Sequence, residues 1–180
     1  MNHAKSLIIN FHIKLSELQR ICMDQEVEMK PYCLLRTCEE QSKIYRGTRT
    51  IKEIKRKLQS LRDRDLLFLA DILDGVGPQI PDPMPNRHVT NAGPGESWHQ
   101  YLLAVDCYPL VNGVAMWEDT AGEWEIYGAA ANYVGLSWGG EWSGFKDMPH
   151  VQALPINNPI NHFKDKDIIK NILEEANSLG

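Results

Sequence analysis

Apolar positions recur along this chain first at helical spacing, then in short extended runs, then at helical spacing again. Leu15, Leu18, Ile21 and Cys22 share one face and predict a helix over about residues 12–24. Val27 to Leu35, rich in Val, Met, Tyr, Cys and Leu, reads as a strand. Thr37-Cys38-Glu39-Glu40 is a capping box, in which hydroxyl and carboxylate satisfy two orphan amides. It predicts a helix to about Arg46 and leaves Arg36 at the strand–helix junction. Thr50-Ile51-Lys52-Glu53 repeats the box, and Ile54, Leu58, Leu61, Leu66, Leu69, Ile72 and Leu73 extend the periodicity to about Asp74.

The stretch from Gly75 to Glu96 holds Pro78, Pro81, Pro83, Pro85 and Pro94, which forbid regular ladders and predict an irregular loop. Tyr101 to Leu110 reads as a buried strand, with Val111 to Trp117 its hairpin partner around Asn112-Gly113, although Pro109 limits pairing there. Thr120-Ala121-Gly122-Glu123 is a third capping box, opening an Ala-rich helix to about Val134. Leu136–Trp142 and His150–Leu154 read as short strands around a Gly-rich turn, and Lys164–Ser178 as a last helix. Mixed order of this kind predicts an α+β fold.

At 180 residues the chain is long enough for one sizeable core. A net charge of −5 excludes a cationic nucleic-acid binder, and no run of 18 apolar residues suggests a transmembrane segment. The apolar stretch at the start is too short and interrupted for an export signal, so synthesis in a cytoplasm is expected. Cys22, Cys33, Cys38 and Cys107 show no C-x-x-C spacing and are expected as reduced thiols.

Residue types single out two segments. His99, Asp106 and His150 offer the nitrogen and oxygen donors of a catalytic zinc that keeps one position open, with Asp147 as candidate base. His99 and Asp106 are seven apart. Fully extended, that separation is roughly 20 Å, so the zinc reading requires the chain to bend between them. Pro149 makes Asp147–His150 a turn entering a strand, which aims a carboxylate and an imidazole the same way. Taken singly, each of these also fits a satisfied histidine or a polar turn.

Five blocks in order add to this. Ser97-x-His99-x(6)-Asp106 followed by Asp147-x-x-His150 resembles the signature of the zinc D-alanyl-D-alanine carboxypeptidase, VanY-like peptidases. That group includes the phage L-alanyl-D-glutamate endopeptidases. Leu35–Gln41, Tyr45–Thr50, His88–Ser97 and Gly135–Trp142 resemble its further blocks, so the likeness covers about residues 27–153. It implies a small antiparallel sheet with flanking helices, a hedgehog/D-Ala-D-Ala-peptidase-like fold. It implies Zn2+ on His99, Asp106 and His150, Asp147 as base, and Arg36 beside the developing oxyanion, a task that suits an always-charged guanidinium. Ser97 and Gln41 match positions near the cleft, as substrate contacts or supports, while Trp138 and Trp142 either wall the groove or fill the core. Two departures stand out. Leu102 occupies a position where the family usually has Gly, and Leu34-Leu35 replaces a Gly-Tyr.

The resemblance further implies a catalytic domain over 1–153, with an inserted helix and Pro-rich loop at about 51–87, and a helical tail over 154–180. The substrate is expected to be a peptidoglycan stem peptide. The protein is expected as a monomeric phage-type endolysin that reaches the wall or periplasm by a holin or another export route. The alternatives are a D,D-carboxypeptidase and a zinc-bearing wall-binding module without turnover. Lys43, Arg46, Arg49, Lys52, Lys55, Arg56, Lys57, Arg62 and Arg64 form a basic stretch, either a solvated face or an attraction to an anionic envelope.

Overall fold

The computed structural model describes residues 3–76, 90–111, 113–118 and 122–180. In chain order they form α1 (His3–Asp24), β1 (Glu28–Cys33), α2 (Cys38–Arg46), α3 (Ile51–Asp63), α4 (Leu67–Gly75), β2 (Ala104–Val111), β3 (Val114–Ala115), α5 (Glu123–Tyr133), β4 (Ser137–Trp138), β5 (His150–Gln152), α6 (Pro159–Phe163) and α7 (Lys166–Leu179). Two 3-10 turns, Trp98–Tyr101 and Gly139–Glu141, precede β2 and follow β4. The chain divides into two compact units, one drawn from residues 1–35, 101–155 and 180, the other from 36–100 and 156–179. The α+β class with a small antiparallel sheet is as expected. No helix among the described residues is long and apolar enough to cross a membrane.

The first unit is built on an antiparallel sheet of order β1-β2-β5-β4, with β3 also paired to β2. The predicted hairpin forms, with Leu110 opposite Ala115 and Val111 opposite Val114. Pro109 does not prevent it, because its carbonyl accepts from the Met116 amide at 3.0 Å. Asn112 lies outside the described residues. Helix α1 starts at His3 rather than near residue 12. Its buried stripe of Ala4, Ile8, Phe11, Leu15, Leu18 and Cys22 shows that the first residues continue the same apolar face. Helix α5 opens behind Gly122, in a left-handed conformation and without a side-chain cap. The box expected there begins at Thr120, outside the described residues.

The second unit is helical. The boxes at Thr37 and Thr50 form in full, each Thr hydroxyl accepting from the Glu amide three residues on. The single helix expected to reach Asp74 is two. Asp65 takes a positive φ of 58° between α3 and α4, while Leu61, Leu66 and Leu69 stay buried on either side. The residues past 153 add α6, which was not expected, and α7. The Asn158 side chain caps α6, and Pro159 stands at its start. These helices group with the 36–100 segment. The basic stretch is not one solvated face. Arg46 donates to Leu73 O at 2.7 Å, buried Arg49 donates to Thr90 O at 2.7 Å, and Lys57 pairs with Glu96 at 2.6 Å.

All four thiols are free. Burial pushes the thiols of Cys22 and Cys38 up to about 11. Because burial favours the neutral thiol, this stabilisation is complete below the unfolded thiol's ordinary value and is lost as pH rises through the folded one. Stability to urea is expected to fall between about pH 9 and 11, by up to about 1.4 kcal/mol per pH unit for Cys38. Cys38→Ser should flatten that slope in urea melts taken at rising pH.

Candidate active site

In the first unit, Asp106 lies opposite Cys33 on one side and opposite His150 on the other, across three adjacent strands. Directly opposed residues share a face, so the sheet itself brings these side chains together. His150 Nδ1 is 2.9 Å from Asp106 Oδ1, and its Nε2 is 3.0 Å from Gln152 Oε1. Asp106 and His150 are 8% and 6% exposed. The Cys33 sulfur and an Asp106 carboxylate oxygen lie within 4.8 Å.

These donors suit a metal ion. The Gln152 amide nitrogen donates to Leu154 O at 2.5 Å, which leaves the amide oxygen facing the ring. An amide oxygen only accepts, so the network assigns the ring hydrogen to Nε2. In the neutral form that binds a metal, Nδ1 turns its lone pair toward the Asp106 carboxylate, so both atoms face the place one cation would take; a protonated ring would pair with the carboxylate directly. Tetrahedral zinc ligands of this kind sit about 3.3 Å apart, so the pair needs to open by only a few tenths of an ångström.

The half-buried Asp147 enters this region on a pinned turn. Its amide donates to Gly139 O at 3.1 Å, and its carbonyl accepts from the His150 amide at 3.1 Å. Met148 O accepts from Trp138 Nε1 at 2.8 Å. Pro149 O accepts from the Cys107 amide at 3.0 Å and from the Tyr127 hydroxyl at 3.3 Å. A Cβ on Gly139 would meet Asp147 O at 2.5 Å, so only glycine permits this approach. Trp138 is buried and holds the turn through its indole N–H, whereas the half-buried Trp142 ring sits 5.2 Å from the His150 ring.

In the second unit, the Arg36 amide donates to His99 O at 3.3 Å. The Arg36 guanidinium donates to Gln41 Oε1 at 3.2 Å. Buried Gln41 also donates to Thr90 Oγ1 and to Ala92 O at 2.7 Å, so it ties Arg36 to the loop that leads to His99. Ser97 opens the 3-10 turn, its amide donating to Gln100 Oε1 and its carbonyl accepting from the Gln100 amide. Buried His99 lies in that turn beside Trp98, whose indole donates to Ile156 O at 2.5 Å and packs on Phe163. Helix α6 thus braces the residue next to His99.

After the 3-10 turn, Leu102 takes a left-handed φ of 53°. This is the position where glycine, which takes that conformation freely, is usual in the group the sequence resembles. A leucine there costs about 1–2 kcal/mol of backbone strain. Its side chain is 3% exposed, and that burial offsets the strain.

The family described as D-alanyl-D-alanine carboxypeptidase matches residues 90–153. Over 75 residues the chain is 35% identical to the peptidoglycan L-alanyl-D-glutamate endopeptidase CwlK of Bacillus subtilis (strain 168). The CwlK alignment takes in 37% of this chain and 45% of CwlK, so the chain spans less than half of that curated relative. The crystal structure of the Serratia marcescens L-Ala D-Glu endopeptidase ChiX aligns over 90% of both chains, at 18% identity and a TM-score of 0.38.

The matched segment contains Ser97, His99, Asp106, Trp138, Trp142, Asp147 and His150, and leaves Arg36 and Gln41 outside. Two polar residues beside Asp106 and His150 escaped the sequence reading. Gln152 was within reach of it, since alternation along the strand from His150 puts the two on one face. Cys33 was not, because its pairing with Asp106 follows a register shift between Pro31 and Cys33.

Proposed function

We propose that the chain is a zinc-dependent peptidase that hydrolyses the bond between L-alanine and D-glutamate in peptidoglycan stem peptides. The observation that carries this reading is the buried Asp106–His150 pair, a carboxylate oxygen and a ring nitrogen 2.9 Å apart within the segment that matches a peptidase family. The likeness to CwlK, named an L-alanyl-D-glutamate endopeptidase, supports the choice of bond. Asp106 and His150 hold the ion in this reading, with His99 as the third ligand. When bound, zinc supplies a Lewis acid for the scissile carbonyl and makes water acidic enough to attack it. Asp147 takes the proton of the attacking water and returns it to the leaving amine. Arg36 meets the charge that grows on the carbonyl oxygen, and Gln41 keeps its guanidinium aimed. Trp142 screens the His150 ring from bulk water. The aspartate at 147 favours the lytic, phage-type role over the trimming one.

Digestion of purified muropeptides by the intact protein tests the choice of bond. The expected product is a new D-glutamate amino terminus, with L-alanine left on the muramyl residue. A chelator should abolish its formation, and added zinc should restore it. Free D-alanine as sole product would replace this reading with that of a D,D-carboxypeptidase. A zinc-loaded protein that binds muropeptides and releases nothing would be a binding module.

A further inference from the structure

Gln152 has no part in the mechanism above, yet it is 2% exposed and its amide is committed at both ends. It lies two residues after His150 on β5, so both side chains leave the strand on the same face. The amide nitrogen is tied to the Leu154 carbonyl and cannot exchange places with the oxygen without losing that bond. We propose that Gln152 is a positioning residue that fixes the tautomer and ring orientation of His150, so that the ring offers Nδ1 to the metal. The inference rests on the zinc reading above and deepens it.

The physical reason is the direction of the hydrogen bond. In the neutral ring that binds a metal, an acceptor facing Nε2 keeps the hydrogen on that nitrogen, which leaves the Nδ1 lone pair in the plane of the ring and on the side of Asp106 Oδ1. Turning the ring over would break both contacts. Without the amide oxygen, either nitrogen can carry the hydrogen and the ring loses its contact at Nε2. The metal must then select one tautomer and one orientation from several. Supporting contacts of this kind are worth about 10–100-fold in metal affinity. A glutamine that served only to fill space would give way to leucine with no such loss.

Two measurements test the proposal, and neither is activity. In long-range 1H–15N spectra of the intact, zinc-loaded protein, the His150 signals should show hydrogen on Nε2 and metal on Nδ1. Chelator competition should find zinc bound about 10–100-fold more weakly by Gln152→Leu. Gln152→Glu, which keeps an acceptor facing Nε2, should stay within about threefold of the parent. Metal on Nε2 in the spectra, or parental affinity in Gln152→Leu, would overturn the inference. The spectra need no variant, so a Gln152→Leu protein that fails to fold leaves the proposal open to refutation. If the intact protein takes up no zinc, the functional reading falls and this inference with it. If it takes up zinc and Gln152→Leu matches it, this inference falls alone.

Discussion

Asp147→Asn is expected to keep its zinc and lose about 10²–10⁴-fold in peptidase rate, whereas His150→Ala is expected to lose both. The two residues are three apart on one turn, and their predicted effects differ because their surroundings do. The Asp147 backbone is held by Gly139 O and by the His150 amide, so asparagine inherits the same path and nearly the same shape. It cannot accept a proton, and that is the property the mechanism needs. His150 is buried against Asp106, so its removal deletes a candidate ligand atom and takes a partner from a buried carboxylate. Breaking a buried pair in this way costs about 3–5 kcal/mol. Metal analysis of the purified proteins, combined with rates of muropeptide cleavage, separates the two cases. An Asp147→Asn protein that cleaves at the parental rate would remove Asp147 from the proton path. One that lacks zinc would make Asp147 a ligand instead of a base.

How far the chain could be read in advance depended on how local each signal was. The boxes at Thr37 and Thr50 are complete within four residues, and both helices begin where the boxes say. The break at Asp65 leaves the apolar phase intact on both sides, so periodicity passes straight over it. Asn158-Pro159 is a start signal for α6, but the helix is only five residues long and stands beside the stronger apolar stripe of α7. Charge was the least legible property. Arg49 and Lys57 read as part of a solvated basic face, but they turn inward to Thr90 O and Glu96, and both stand over the Tyr45 ring. For the candidate site, residue types and block order gave the names. The bringing together of Asp106 and His150, however, is a matter of strand register, which spacing along a chain does not encode.

Gly128→Ala is expected to destabilise the protein by about 3 kcal/mol, although alanine is the better helix former. Gly128 lies in the middle of α5, where glycine ordinarily costs about 1 kcal/mol relative to alanine. The ring of Trp138 explains why it is there. A Cβ at Gly128 would lie 2.2 Å from Trp138 Cε3, and one at Gly140 would lie 2.2 Å from Cζ2, so the indole is held between two bare backbones. The ring is rigid, and its N–H is committed to Met148 O at 2.8 Å, so it has no easy retreat. Any retreat drags Met148, the residue between Asp147 and Pro149, and with it the turn that sets Asp147 relative to His150. Denaturant melts of Gly128→Ala in two backgrounds isolate the cause. Beside Trp138 the substitution should destabilise, while beside Trp138→Leu, which removes the clash, it should be neutral or stabilising by up to about 1 kcal/mol. An equal penalty in both backgrounds would acquit the ring. The helix would then owe its glycine to something other than the indole it shelters.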